Sequence, residues 1–134
     1  MKAIIPYLTF DGRCREAMTF YSNALGAELQ LMPFADMPDG PTATPDRIMH
    51  ARFSHGAATL MASDSMPGTS QQQGNNFSIS VGCESNDEVD RLYTALSEGG
   101  SRTMPPEDTF WGAYFGMLKD KFGIQWMFNY DKPR

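Results

Sequence analysis

At 134 residues the chain has the length of one domain, enough to bury about two-thirds of the surface its unfolded form exposes. Hydrophobic residues at 41% and charged ones at 20% are ordinary for a folded globular protein. Eleven scattered basic residues against sixteen acidic ones leave a formal charge of −5, which argues against nucleic acid and anionic membrane surfaces as partners.

The N-terminus enters a strand pattern directly, with no apolar core of a signal peptide and no cleavage site. No apolar run approaches the roughly 20 residues that span a bilayer. Cys14 and Cys83 belong to no CxxC and read as reduced, small apolar residues. A cytoplasmic protein without cofactor is expected. Cys14, near a helix N-terminus, is also a candidate reactive thiol.

In chain order, Ile4 to Phe10 is rich in β-branched and aromatic residues and ends at the turn signal Asp11-Gly12. Cys14, Ala17, Met18, Tyr21 and Leu25 then fall on one face of a helix, with Gly26 placed to cap it. Glu28 to Phe34 predicts a strand, and residues 35–46 predict a loop because they hold three prolines and a glycine. Arg47 to Ser54 and Ala57 to Ser63 predict two strands joined by a tight turn at His55-Gly56.

Residues 65–75 are polar and predict a linker. Phe77 to Val81 alternates at period two, as a half-buried strand does. Ser85 and Glu88 have the spacing of a capping box, followed by Val89, Leu92, Tyr93 and Leu96 on one helical face. Ser101 to Met104 predicts a strand closed by Pro105-Pro106, and Trp111 to Lys119 and Ile124 to Tyr130 predict two more. Glu16 and Glu88, Tyr21 and Tyr93, Met32 and Met104, and Pro33 and Pro105 are all 72 apart (88 − 16, and so on), while Gly56 and Gly123 are 67 apart (123 − 56). This order implies two copies of a βαβββ unit around a shared core: residues 1–64 and 76–130, joined by 65–75 within one domain, 1–134.

The stretch Pro6-Tyr7-Leu8-Thr9-Phe10-Asp11-Gly12, with Glu16-Ala17, Phe20-Tyr21 and Leu25-Gly26-Ala27-Glu28, resembles the opening of the PhnB-like branch of the vicinal-oxygen-chelate (glyoxalase/bleomycin-resistance/dioxygenase) superfamily. Met49-His50-Ala51-Arg52-Phe53 is similar to that branch's "HAEL" strand. Phe110-Trp111-Gly112 and Asp120-Lys121-Phe122-Gly123-Ile124-Gln125-Trp126 are similar to its closing signature. The resemblance implies an α+β fold in which two βαβββ modules form a cup-shaped mixed sheet with helices on its outer face, usually as a homodimer. It also implies a divalent metal held by four side chains. Those positions fall on Ile5 or Pro6, Met61, Asn76 and Met127, none of which offers a carboxylate or imidazole, so no metal is expected. Arg52 stands where the branch usually has Glu, Tyr114 where it often has Arg, Lys121 where the turn has Pro, and Ile124 where it has His. Some relatives bear a ubiquinone-methyltransferase label, but no nucleotide-binding glycine loop is legible here.

The two histidines, five residues apart on one predicted strand, point to opposite faces and cannot chelate one metal together. With a two-residue turn at 55–56, His50 lies opposite Met61 and Arg52 opposite Thr59, all on one face; the resemblance puts a cavity-facing ligand position at Met61, which implies that this face looks into the cup, and His55 belongs to the turn. Arg52 either holds a ligand's carboxylate or phosphate or pairs with a nearby acid. Strand parity turns Leu8, Phe10, Phe77, Ile79, Val81, Ile124, Trp126 and Phe128 towards the helices. The expected ligand contacts are therefore Tyr7, Thr9, His50, Arg52, Ser78, Tyr114 and Gln125, with no catalytic residue identified. Three readings follow: a metal-independent small-molecule binder with an unidentified ligand, a metal-dependent enzyme drawing on His50, Asp64 and Glu28, or a catalytically silent interaction domain.

Overall fold

The computed structural model describes residues 1–34, 46–69 and 71–133, so nearly all of the expected 35–46 loop lies outside the described residues. The chain divides into two compact units, Met1–Gln72 and Gln73–Arg134. The first comprises β1 (Tyr7–Phe10), α1 (Cys14–Leu25), β2 (Glu28–Pro33), β3 (Ile48–His55) and β4 (Ala58–Asp64). The second comprises β5 (Ile79–Gly82), α2 (Asn86–Ser97), β6 (Ser101–Asp108), β7 (Ala113–Lys119) and β8 (Gln125–Asp131). Each unit is a four-stranded mixed sheet with the same order, β1-β4-β3-β2 and β5-β8-β7-β6. In each, the first and last strands pair parallel and the other pairs are antiparallel. The fold is α+β, two βαβββ modules.

The helices form where the apolar periodicity places them. Cys14, Ala17, Met18 and Tyr21 are buried on α1, and Val89, Leu92, Tyr93 and Leu96 on α2. Each helix packs on its own sheet, and Tyr93 meets Phe128 edge-on at 6.1 Å. Gly26 ends α1 at φ +68°, a left-handed conformation that would strain a side chain, and the chain closes there through Ala27 N–H donating to the Ser22 carbonyl at 2.9 Å. Both helices are 12 residues long and begin 72 apart, at 14 and 86. β4 and β8 begin 67 apart, at 58 and 125. Their buried residues, however, are offset by 66: Leu60 and Ala62 in β4 correspond to Trp126 and Phe128 in β8. A one-residue slip exchanges sheet faces, so the offset of 66, not 67, relates equivalent sides.

Several boundaries differ from expectation for local reasons. β1 begins only at Tyr7; Ile4 is 87% exposed and Pro6 has no N–H to give a ladder, although its carbonyl accepts from Met61. The β3–β4 turn is Gly56-Ala57, since His55 pairs with Ala58; His55 ends β3 beside the turn. Every partner on β4 therefore moves by two: Arg52 faces Met61 and Ser54 faces Thr59. An even shift leaves the faces unchanged. β6 runs through Pro105-Pro106 instead of stopping there, because it is the edge of its sheet and its register breaks on both sides of Met104. Gly116 on β7 lies so near Pro106 that an added Cβ would stand 3.0 Å from the ring. β7 starts at Ala113, leaving Trp111 in the preceding turn. Phe77 precedes β5 and is exposed, not turned to the helix. Ser65, expected in the linker, is buried; its N–H donates to Phe10 and its carbonyl accepts from Arg47.

Candidate functional site

The first sheet has one face under α1 and one open face. Leu8 and Phe10 are buried on the helix side, which turns Tyr7 and Thr9 the other way. The register then lays Tyr7, Met61, Arg52 and Gln30 side by side across β1, β4, β3 and β2. A second row holds Thr9 beside Ser63, and His50 beside Met32. The two rows are stitched by the Tyr7 hydroxyl and His50 Nδ1, 3.3 Å apart in a hydrogen bond whose direction the imidazole tautomer sets. Their rings lie 5.9 Å apart, tilted 33°. Four of the seven expected contact residues, Tyr7, Thr9, His50 and Arg52, thus share one face. The Tyr7–His50 bond itself was not legible, because it spans β4 diagonally between strands far apart in sequence.

Arg52 is exposed, and among the described residues no acid pairs with it. The carboxylate that β2 carries on this face, Glu28, lies opposite Ser54 instead. Of the two alternatives for Arg52, an internal acid partner is absent among the described residues.

In the second sheet, Trp126 and Phe128 are buried, so Gln125, Met127 and Asn129 take the open face, with Ser80 beside Met127. Gln125 Nε2 donates to the Phe77 carbonyl at 3.2 Å. Ser78 is half-buried just ahead of β5. Tyr114 is corrected: it lies on the helix side, in step with buried Gly116 and Leu118, and its hydroxyl donates to Asp90 Oδ1 of α2 at 2.6 Å. That bond, then burial, pushes its pKa up to about 12. The alternation Tyr114, Gly116, Leu118 carried the signal; Leu118 marks the apolar side. The strands did not predict the turn cluster either. Phe110, 98% exposed, meets Trp111 edge-on at 5.0 Å, and Trp111 reaches Phe115 at 6.1 Å.

The buried acids serve the fold. Asp64 accepts from Cys14 N–H at 3.0 Å and from Ile48 N–H at 2.8 Å. Asp120 accepts from the N–H groups of Phe122 and Ile124 and from the Trp126 indole at 2.8 to 3.0 Å. Burial, reinforced by Asp64, raises the Cys14 thiol to about 12, the opposite of a reactive cysteine.

A divalent metal does not fit the residues present. Met61 sits between Tyr7 and Arg52, and Met127 between Ser80 and Met117. Thioethers are poor ligands for hard cations. His50, Asp64 and Glu28 are not assembled either: Asp64 is buried beneath the helix end while the others lie on the open face. Among the described residues no three His, Cys, Asp or Glu side chains come close enough to share an ion, and no helix is long and apolar enough to cross a membrane.

The family model described as 3-demethylubiquinone-9 3-methyltransferase matches residues 2–128. Protein YjdN of Escherichia coli K12 is 32% identical, over 96% of this chain and 95% of its own. The crystal structure of protein PA1353 from Pseudomonas aeruginosa has a TM-score of 0.90 at 44% identity, covering 99% of this chain and 100% of that one. A PhnB protein from Bacillus cereus, whose name carries the same methyltransferase description, has a TM-score of 0.79 at 26% identity, covering 96% and 99%. More distant glyoxalase/bleomycin-resistance structures share the fold. With the family model matching residues 2–128 and near-complete coverage of these relatives, the chain belongs to the PhnB-like family described by that model.

Proposed function

We propose that this chain is a metal-independent small-molecule binding protein whose ligand lies on the open face of the first sheet. The observation that carries the reading is the make-up of that face. Tyr7 and Met32 leave 51% and 45% of their surface in solvent, next to Thr9, His50 and Arg52. Large apolar groups exposed together with a few convergent polar ones suit binding by contact and hydrogen bonding. Lewis-acid chemistry would call for carboxylate or imidazole donors where this sheet carries Met61.

A thermal-shift screen of chelator-treated protein tests it, with parallel arms containing zinc, manganese or iron. A ligand at about a hundred times its Kd adds about 2.7 kcal/mol of stability. That is several degrees in Tm for a domain of this size, and the shift should be equal with and without metal. Ligand stabilisation that appears only with metal, or stoichiometric metal bound through His50, would overturn the reading in favour of a glyoxalase- or dioxygenase-type enzyme. We also propose a homodimer, because each sheet ends in edge strands at which a second copy can pair, β1 and β2 or β5 and β6. Sedimentation giving a monomer at tens of micromolar protein, on the order of ordinary working concentration, would refute it.

A further inference from the structure

We infer that the ligand class of this face is an aromatic oxyanion, with the carboxylate or phosphonate held by Arg52 and the ring laid on Tyr7. The inference rests on the binding reading above and names its chemistry. Three observations converge. Arg52 presents its guanidinium on the open face with no acid paired to it among the described residues. Arg13, Arg47, Arg91 and Lys132 each meet a carboxylate, whereas Arg15 on α1 and Arg102 on β6 also show none among the described residues but do not lie on this face. On a chain of net charge −5, an unneutralised guanidinium is the group on this face that can attract an anion, and its planar fork matches a carboxylate or phosphonate in two parallel hydrogen bonds.

The second observation is the neighbour. Met61 separates Arg52 from Tyr7 in the register, so the cation and the aromatic ring lie two strand spacings apart, about 10 Å between backbones. A benzene ring with an attached acid group fits within that spacing, and Met61 offers the polarisable floor on which a ring packs. The third is orientation. The hydrogen bond to His50 fixes the Tyr7 side chain, and the His50 ring stands 5.9 Å from it. The aromatic wall is therefore held before a ligand arrives, and less ordering entropy is lost on binding. Gln30, directly across from Arg52, supplies an amide N–H that can donate to the same oxyanion.

The test uses benzoate and phenylphosphonate as probes, benzamide as the neutral isostere, and acetate and inorganic phosphate as anions without a ring. Calorimetric titration of the full chain should show benzoate or phenylphosphonate binding at least about tenfold more tightly than benzamide, acetate or phosphate, as a charge-assisted bidentate contact plus ring burial requires. Arg52→Met should remove that tenfold preference while leaving Tm unchanged. Arg52→Lys should recover part of it, and Tyr7→Leu should weaken both aromatic anions while sparing acetate. Which of the two aromatic anions binds better tells a carboxylate site from a phosphonate one. Equal binding of benzamide and benzoate, or a preference that survives Arg52→Met, would overturn the oxyanion assignment while leaving small-molecule binding intact. No binding of either aromatic anion up to about 10 mM, a free energy below about 3 kcal/mol, would likewise overturn it. The thermal-shift screen described above then decides the binding reading separately.

Discussion

The two modules begin their helices in opposite ways. α2 is capped from its own sequence: Ser85 Oγ accepts from Glu88 N–H at 3.0 Å, and the Glu88 carboxylate reaches back to Glu84 N–H at 3.1 Å, one residue earlier than a standard capping box would reach. α1 has no side-chain cap of its own at Arg13. Its first N–H is taken by Asp64, fifty residues on at the end of β4, whose other oxygen holds the start of β3. The second module's buried acid, Asp120, instead braces the β7–β8 turn and the Trp126 indole. Equivalent folds thus solve the same problem of orphan backbone donors once locally and once through a tertiary contact. The local solution is cheap to read and easy to lose without harm. The tertiary one ties three elements together.

That contrast can be broken by mutation. Asp120→Ala should be the most damaging, at about 3–5 kcal/mol in urea unfolding, since it strands two backbone N–H groups and a buried indole. A cost under about 1 kcal/mol would mean water replaces the carboxylate and the brace is not structural. Asp64→Ala should follow at about 2–4 kcal/mol, with two buried donors left unpaired. If it proves as mild as a surface change, the first helix is held by packing alone. Ser85→Ala should cost only about 1 kcal/mol, the usual worth of a local N-cap. A loss larger than that of Asp64→Ala would reverse the contrast.

The smallest effect is chemical. Burial lifts the thiols of Cys14 and Cys83 to about 12 and about 11. Both should stay mostly protonated at about pH 8, where an unfolded cysteine already ionises in part. With a thiol reagent under native conditions, half-buried Cys83 should react first and fully buried Cys14 only on unfolding. Prompt reaction of Cys14 in the native protein would show that the end of α1 opens readily.

Features that depend on residues near in sequence were legible without a fold. The helical faces of α1 and α2, the glycine cap at Gly26, the Ser85 cap and the inward turn of Leu8 and Phe10 follow from periods of 3.6 and 2, which the backbone imposes wherever it forms. The placement of Tyr7, Thr9, His50 and Arg52 on one face follows from the same parity and survived a one-residue error in the turn, because that error moves the partners by two and an even slip preserves faces. What parity cannot supply is which distant atoms meet. Tyr7 finds His50 across an intervening strand, Asp64 reaches the first turn of α1, and Tyr114 spends its hydroxyl on Asp90 instead of facing the open side. Arg52 stands without an acid among the described residues. Each of these depends on how strands are ordered and where a helix crosses them. Packing of the whole module settles such contacts, and no local pattern encodes them.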